Sequence, residues 1–473
     1  MQLQPPDLTK LTPEQKDDLI LELWARVQAQ VAQIAVLVAE NEALKKRVAD
    51  LEERLNEPRK TPSNSSVPPS KSFKANKNQD SGKVGRSGQR HGSLGRKGGG
   101  RLLAHDPDET IIAKVKRCCH CAAELNDADH KLHNRHDKIE IPPIKPIVTR
   151  VERYAGHCPS CHGITLAPVP EGLQDGSPFS PNILALALYL RFTHAISYNR
   201  LRQLFRHLFA LSISEGALDA MFRKAKLRFD DQVAAILARL RTARVIYSDE
   251  TSIRIDGKTC WNWVFQNKDV VIHVVRHSRG ADVVTGVLNG HRPALWVSDL
   301  YGAQQGHADQ WQVCLAHQLR DCQFAIEAGD RVFAPRMKAW LLRVVILSRR
   351  RQDLADTTRR HYRQRFERDL DKIMALSPDH RHGRRLRKRY GKIRDSLLTF
   401  LDHPEIAPDN NSSERELRPT ATYRKVTGGF RSNWGAELFA GIRSIVGTAA
   451  RQGLNPFDAI RSTLGIIGSQ PVG

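Results

Sequence analysis

Between Ile20 and Leu55 apolar side chains return every seven residues: Ile20, Val27, Ile34, Val48 and Leu55 share one seam position, and Leu23, Leu37, Leu44 and Leu51 lie three residues later. Such a stripe calls for a long helix whose partner is another helix, so the chain is modular, as its 473 residues also suggest. β-Branched residues at the first position with Leu at the second favour a parallel pair. Asn41, in a first-position slot, fixes register and strand number, whereas Gln30 weakens the second position once. The implied partner is a second copy; the bland alternative is an amphipathic helix packed on its own protein. Pro58 ends the helix.

From Pro58 to Arg101 the sequence is Ser, Gly, Pro, Asn and basic residues, with too little apolar surface to offset its ordering entropy. A tether is expected here, in which Arg86, Arg96 and Lys97, set among glycines, can follow a phosphate chain. The net charge of +23 makes nucleic acid the leading partner class. No run approaches the roughly 18 apolar residues of a spanning helix, and the opening Met-Gln-Leu-Gln-Pro-Pro-Asp is no signal peptide, so the expectation is a bacterial cytoplasmic, nucleoid-associated protein with no membrane partner.

Cys118, Cys121, Cys158 and Cys161 form two C-x-x-C knuckles, each able to present two thiolates to one side of a tetrahedral Zn²⁺. The expectation is a structural zinc in a zinc-ribbon-like module, with Cys119, His120, His157 and His162 as substitute ligands and redox thiols as the bland alternative. Phe179 to Arg241 then carries helical spacing. Asn199 to Leu208, a turn, and a helix capped by Ser214 have the outline of a helix-turn-helix, which purely structural helix pairs share.

At Ala243 the period changes. Arg244 to Ser248 reads as a buried strand ending in Asp249; Ile253 to Ile255, Cys260 to Phe265 and Val270 to Val275 continue as a meander, with Ala281 to Leu288 a helix. Ala294 to Ser298 is a fourth strand ending in Asp299, and Trp311 to Leu315 a fifth leading into the helix of His317 and Arg320. This order is that of a ribonuclease-H-like core, in which the first and fourth strands are neighbours and Asp249 and Asp299 face one site. Pro408 to Pro419 looks like a capped helix start carrying Glu414, with Arg418 at i+4 on its face. Three carboxylates offer hard oxygen ligands to two Mg²⁺ ions. Alone, three among 51 acidic residues would mean little; their placement raises the signal. Glu250 and Glu416 are neighbours that strand alternation and helical rotation should turn away.

Asp249-Glu250-Thr251, Trp261-Asn262-Trp263, Asp299-Leu300-Tyr301-Gly302, Cys314-Leu315-Ala316-His317 and Asn410 to Arg415 resemble the DDE transposases of the bacterial IS-sixty-six insertion-sequence family. The resemblance extends to the zipper, Asn64-Ser65-Ser66, Pro68-Pro69-Ser70 and the zinc knuckles. It implies that Asp249, Asp299 and Glu414 are the catalytic, metal-binding triad, supported by His317 and Arg418, for Mg²⁺- or Mn²⁺-dependent cleavage of insertion-sequence ends and strand transfer. Two departures stand out: Gly428-Gly429-Phe430-Arg431-Ser432 replaces a more apolar stretch, and Cys119 is extra.

The expectation is therefore a multidomain α+β protein: a coiled coil (1–57), basic linker (58–105), zinc module (106–168), helical module (169–241), ribonuclease-H-like core (242–330 and 404–450) interrupted by a basic helical insertion (331–403), and a tail (451–473). Arg349, Arg350, Arg351, Arg385, Arg387 and Lys388 give the insertion a lopsided positive charge suited to clamping DNA. Transposon-end and target DNA, a second copy through the coiled coil, and helper proteins from the same element are the expected partners. The rival functions are a zinc-containing DNA-binding protein with an inert core and a structure-selective nuclease.

Overall fold

The computed structural model describes residues 7–55, 57–65, 102–173 and 176–466, so the linker residues Arg86, Arg96 and Lys97 lie outside the described residues. The heptad stripe forms one helix, α1 (Pro13–Leu55). Thr12 and Gln15 cap it reciprocally, the Gln15 N–H donating to Thr12 Oγ1 at 3.2 Å and the Thr12 N–H to Gln15 Oε1 at 3.0 Å. Its seam residues are exposed, from 48% at Val27 to 85% at Leu55.

The chain divides into two units, Met1–Phe73 with Phe179–Ser197 and Met221–Gly473, and Lys74–Pro178 with Tyr198–Ala220. The smaller contains the knuckles, the short antiparallel strands β1 (Ala155–His157) and β2 (Ile164–Leu166), helix α3 (Tyr198–Phe209) and the first residues of α4 (Glu215–Leu240). In the larger, which includes α1, the chain resumes with α2 (Pro181–Leu188), started by Pro181 and capped by Ser180.

The larger unit is built on a mixed five-stranded sheet. Its strands are β3 (Val245–Ile255), β4 (Lys258–Gln266), β5 (Val271–Arg276), β6 (Leu295–Ser298) and β7 (Gln310–Val313), in the order β5-β4-β3-β6-β7. The β5-β4-β3 meander is antiparallel; β6 then joins β3 in parallel and β7 joins β6 in parallel. Helix α5 (Ala281–Leu288) links the two halves. The sequence expectation broke the first strand at Asp249, but β3 runs on through Asp249-Glu250-Thr251-Ser252, because β4 pairs with it along this polar stretch. Its pairing with β6 covers only Val245 to Tyr247, so Asp249 lies just beyond the point where the parallel neighbour stops.

After β7 come α6 (Leu315–Glu327), α7 (Ala334–Ser348), α8 (Asp356–Met374), α9 (Arg381–Ile393) and α10 (Thr399–Asp402). Met337, Trp340, Leu341, Phe366, Leu386 and Tyr390 from these helices share one buried cluster with Leu295, Val297 and Val313 of the sheet, so the basic insertion contributes to the core. α11 (Asn411–Thr427) and α12 (Asn433–Arg451) follow, then α13 (Pro456–Thr463). Both sheet edges are covered. Thr448 Oγ1 and Ser444 Oγ of α12 accept the N–H groups of Val271 and His273 on β5 (3.0 and 2.8 Å), and Thr399 Oγ1 donates to the Trp311 carbonyl of β7 at 2.8 Å.

The glycine-rich departure from the family pattern has a packing role. Gly428 ends α11 in the left-handed region (φ +74°). Gly429 (φ +114°) passes so close to β3 that a Cβ would sit 2.5 Å from the Arg254 carbonyl oxygen. Phe430 then bonds to the end of β3, its N–H donating to Arg254 O and its carbonyl accepting from Asp256 N, and stacks on Tyr423 at 4.7 Å. The linker's first residues are also engaged: the Asn64 side chain, 1% exposed, donates to Glu327 Oε2 and to the Arg59 carbonyl, and Glu57 pairs with Arg381 and His382.

Candidate active site

Asp249 lies within β3, two residues beyond the end of its pairing with β6, and Asp299 follows the last residue of β6. Strand pairing thus brings them to one end of adjacent parallel strands. Glu414 stands in the first turn of α11, which packs across β3 and β4. Asp249 feels both of the other carboxylates. Burial and then the charges of Asp299 and Glu250, with a further contribution from Glu414, push Asp249 well above the usual carboxylate range. Asp299 is also raised, chiefly by burial, although the Tyr301 N–H donates to its Oδ1 at 2.9 Å and opposes the shift. Burial at this end of the sheet thus disfavours the charged form of both aspartates.

Glu414 has partners of its own. Its Oε1 lies 3.1 Å from Arg320 Nη2 and 3.7 Å from His317 Nε2, both on α6. Burial, then the Arg320 charge, lowers the His317 pKa and favours the neutral imidazole, whose buried Nδ1 has no hydrogen-bond partner among the described residues. Arg418, expected on the face of Glu414, is exposed and makes no ion pair among the described residues; the arginine that meets Glu414 comes from a different helix. Among the described residues no three His, Cys, Asp or Glu side chains stand together as one metal's ligands.

Sequence reasoning set two neighbouring glutamates aside, and the structure gives each a definite task. Glu250 accepts two bonds from Arg279 on Oε1 (3.0 and 2.7 Å) and one from Gln304 on Oε2 (2.8 Å). Glu416 lies on the opposite side of α11 within reach of Arg443 (3.0 Å), Arg451 (3.2 Å) and His273 (3.4 Å). Nothing in the spacing of Arg279, Arg443 and Arg451 announces these contacts, which only strand pairing and helix docking create.

In the smaller unit the two knuckles have the same backbone. Cys118 N–H donates to Ala123 O and Ala122 N–H to Cys118 O, both at 2.9 Å; Cys158 and His162 repeat this with Gly163 and Cys158 at the same distances. Ala122 and His162, each just past its second cysteine, take positive φ (59° and 56°). Backbone N–H groups of His120 and Cys121 lower the Cys118 thiol pKa, and those of Cys161 and Ser160 lower that of Cys158. Each turn is therefore shaped to favour a thiolate at its first cysteine.

Of the basic residues singled out in the insertion, Arg349, Arg350, Arg385, Arg387 and Lys388 are exposed. Arg387 also donates to the Met374 carbonyl at 2.8 Å. Arg351 donates to the carbonyls of Pro404 and Ile406 (3.0 and 2.9 Å), holding the segment that leads to α11.

The fold thus defines a mixed α+β protein with two aspartates at adjacent parallel strands and exposed basic residues on the helices that follow the sheet. Residues 176–438, more than half of the chain, match the family model described as Transposase IS66 family, and the chain belongs to that family. Its role is accordingly that of a transposase, a DNA-processing enzyme whose substrate is DNA. Three relatives from Sinorhizobium fredii (strain NBRC 101917 / NGR234) are similar to it. Uncharacterized protein y4jD is 22% identical over 78% of this chain and 79% of its own length. Uncharacterized protein y4qI is 23% identical over 70% and 67%, and Uncharacterized protein y4jO 30% identical over 23% and 32%. No helix among the described residues is long and apolar enough to cross a membrane.

Proposed function

We propose that this is a DDE transposase that cuts insertion-sequence ends and joins them to target DNA, with Asp249, Asp299 and Glu414 as its catalytic triad on a ribonuclease-H-like core. The observation that carries the reading is the placement of the carboxylates: Asp249 on β3 and Asp299 directly after β6, its parallel neighbour, with Glu414 in the first turn of α11 packed on β3. The sheet order, an antiparallel meander followed by two parallel strands, supports the core assignment. The donor set fits Mg²⁺ or Mn²⁺, since it consists of carboxylate oxygens. Asp249 and Asp299 would hold the ions, and Glu414 would complete the set by exchanging Arg320 for metal. Bound there, two ions would supply activation of the attacking hydroxyl and stabilisation of the leaving 3′ oxygen.

The chain's own residues orient this site. Tyr301 N–H fixes the Asp299 carboxylate, Arg320 and His317 hold Glu414 near the strands, and the buried neutral His317 leaves the local charge to the carboxylates and arginines. Cys118, Cys121, Cys158 and Cys161 would bind a structural Zn²⁺, a reading supported by the two matching thiolate-favouring turns. Exposed Arg349, Arg350, Arg385, Arg387 and Lys388, together with Arg86, Arg96 and Lys97 of the linker, would contact phosphates. α1 would pair two copies through its exposed seam, which suits an enzyme that must hold two DNA ends. Helper proteins from the same element would join this assembly.

The test is Mg²⁺-dependent processing of a labelled DNA carrying the element's own terminal repeat, comparing wild type with Asp299→Ala. Joined products that vanish in the variant are expected. Joining that survives the substitution refutes the triad, and cutting without joining by the wild type favours a nuclease. Salt-sensitive binding with no cutting by either protein favours an inert DNA-binding core.

A further inference from the structure

The side chains of three residues of the family motifs, Glu250, Trp261 and Tyr301, converge on one side chain, Arg279. Its guanidinium lies between two rings, with Cζ 4.4 Å from the Trp261 centroid and 4.0 Å from that of Tyr301. Nε and Nη2 donate to Glu250 Oε1, while the Tyr301 hydroxyl donates to the Arg279 carbonyl at 3.0 Å. Tyr301 also donates its N–H to Asp299, and Glu250 adjoins Asp249, so this clasp shares its backbone with both aspartates. Burial is asymmetric: the Glu250 side chain is 1% exposed and that of Arg279 40%. Nη1 has no partner among the described residues.

A guanidinium has donors on more than one edge, and here one edge is spent on Glu250 while the remainder stays accessible at the rim of the carboxylate site. Stacking and the ion pair together prevent the side chain from turning away, so little ordering remains for a ligand to impose. We infer that Arg279 is a DNA-contact residue, presenting Nη1 to a backbone phosphate of the strand that enters the Asp249–Asp299 site, with Glu250, Trp261 and Tyr301 as its positioning residues. The inference rests on the transposase reading, and it assigns to that site a substrate-orienting group. A bridging arginine and a diffuse positive surface differ in one respect. A lysine at the same position can satisfy Glu250 or a phosphate with its single ammonium but cannot span both.

The experiment is equilibrium binding of a fluorescein-labelled duplex bearing the element's terminal sequence, in EDTA, across a salt series, for wild type, Arg279→Gln and Arg279→Lys, with a thermal melt of each. Loss of one phosphate contact lowers the slope of log K against log salt by about 0.9. Wild-type affinity should therefore fall about threefold to fourfold further than that of either variant between about 50 and 200 mM salt. Arg279→Lys keeps the charge opposite Glu250 and decides the matter if Arg279→Gln fails to fold. A lysine variant that melts like wild type and retains the full slope overturns the inference and makes the cluster a structural clasp. A wild type whose binding has no salt dependence removes the transposase reading as well, which distinguishes the two failures.

Discussion

Replacing Glu416 by Gln keeps the volume and removes only the charge. The Glu416 side chain is 11% exposed, that of Arg443 9%, Arg451 19% and His273 0%, so the loss falls in a poorly solvated cluster. Burial alone would raise the Glu416 pKa, but the His273 hydrogen bond and the charges of Arg443 and Arg451 overrule it and hold it far below 4.5. His273 is itself pushed down by burial, so the two arginines carry the balancing charge at neutral pH. Breaking a buried pair from one side costs about 3–5 kcal/mol, because the other charge is left uncompensated. In a unit of this size each kcal/mol moves the melting temperature by about 2 °C, giving a fall of about 6–10 °C at pH 7. The pH dependence has a definite sign. A carboxylate whose native pKa is depressed contributes stability above its unfolded pKa and loses it as pH falls through the native value. The gap between wild type and Glu416→Gln should therefore stay constant from neutral pH to about 5 and narrow below 4.5. Calorimetric melts across that range provide the assay. A fall of less than about 2 °C at pH 7, or a gap that widens in acid, refutes the reasoning.

Three further outcomes follow from particular contacts. Without metal, Asp249→Asn should melt higher than wild type at pH 7, because it relieves burial of a charge beside Asp299; saturating MgCl₂ should raise wild type alone, by about 2.7 kcal/mol at a hundred times Kd, as read by thermal shift. Elemental analysis should find one zinc per chain in wild type and none in Cys121→Ser, since removing one thiolate leaves an incomplete tetrahedral set. Gly429→Ala, with a Cβ 2.5 Å from Arg254 O at φ +114°, should lose about 2–3 kcal/mol in urea unfolding; a loss under about 0.5 kcal/mol would mean that the α11–β3 junction adjusts freely.

Local periodicity carried much of the sheet, because Arg244 to Ser248 and Ala294 to Ser298 are apolar runs with turn signals around them, and they emerge as β3 and β6. It failed at Asp249 to Ser252, where polar residues looked like a strand end. Cross-strand bonding from β4 keeps that segment extended, and such bonding has no local signature. The same limit explains Arg418 and Arg320. The i+4 relation is visible within one helix, whereas Arg320 reaches Glu414 only because α6 and α11 meet. The sequence expectation turned Glu250 and Glu416 away from the carboxylates, yet the charge of Glu250 is still felt by Asp249 and Asp299, and the arginines that pair with both glutamates come from distant segments.

How α11 is held explains why its polar residues matter as much as its apolar ones. The helix buries Leu417 and Tyr423 but also Ser413 and Thr420, a modest apolar face for an element that must present Glu414 at one spot. Apolar contacts are non-directional and would tolerate a small slide or rotation. Directional contacts do not. Asn410 Nδ2 donates to the Ser248 carbonyl at 2.8 Å, Gln266 Nε2 to Ser412 and Ser413 at 3.0 Å each, and Asn262 Nδ2 to Thr420 at 2.8 Å, while Glu416 locks to Arg443 and Arg451. These anchors lie on either side of Glu414 and link it to β3, β4 and α12. A one-residue slip would leave several buried polar groups unpaired at about 1–3 kcal/mol each. The register of α11 on β3 and β4 is thus specified by hydrogen bonds, and if the proposed metal site is right, substitutions at Asn262 or Gln266 should disturb Mg²⁺ affinity before they disturb the fold.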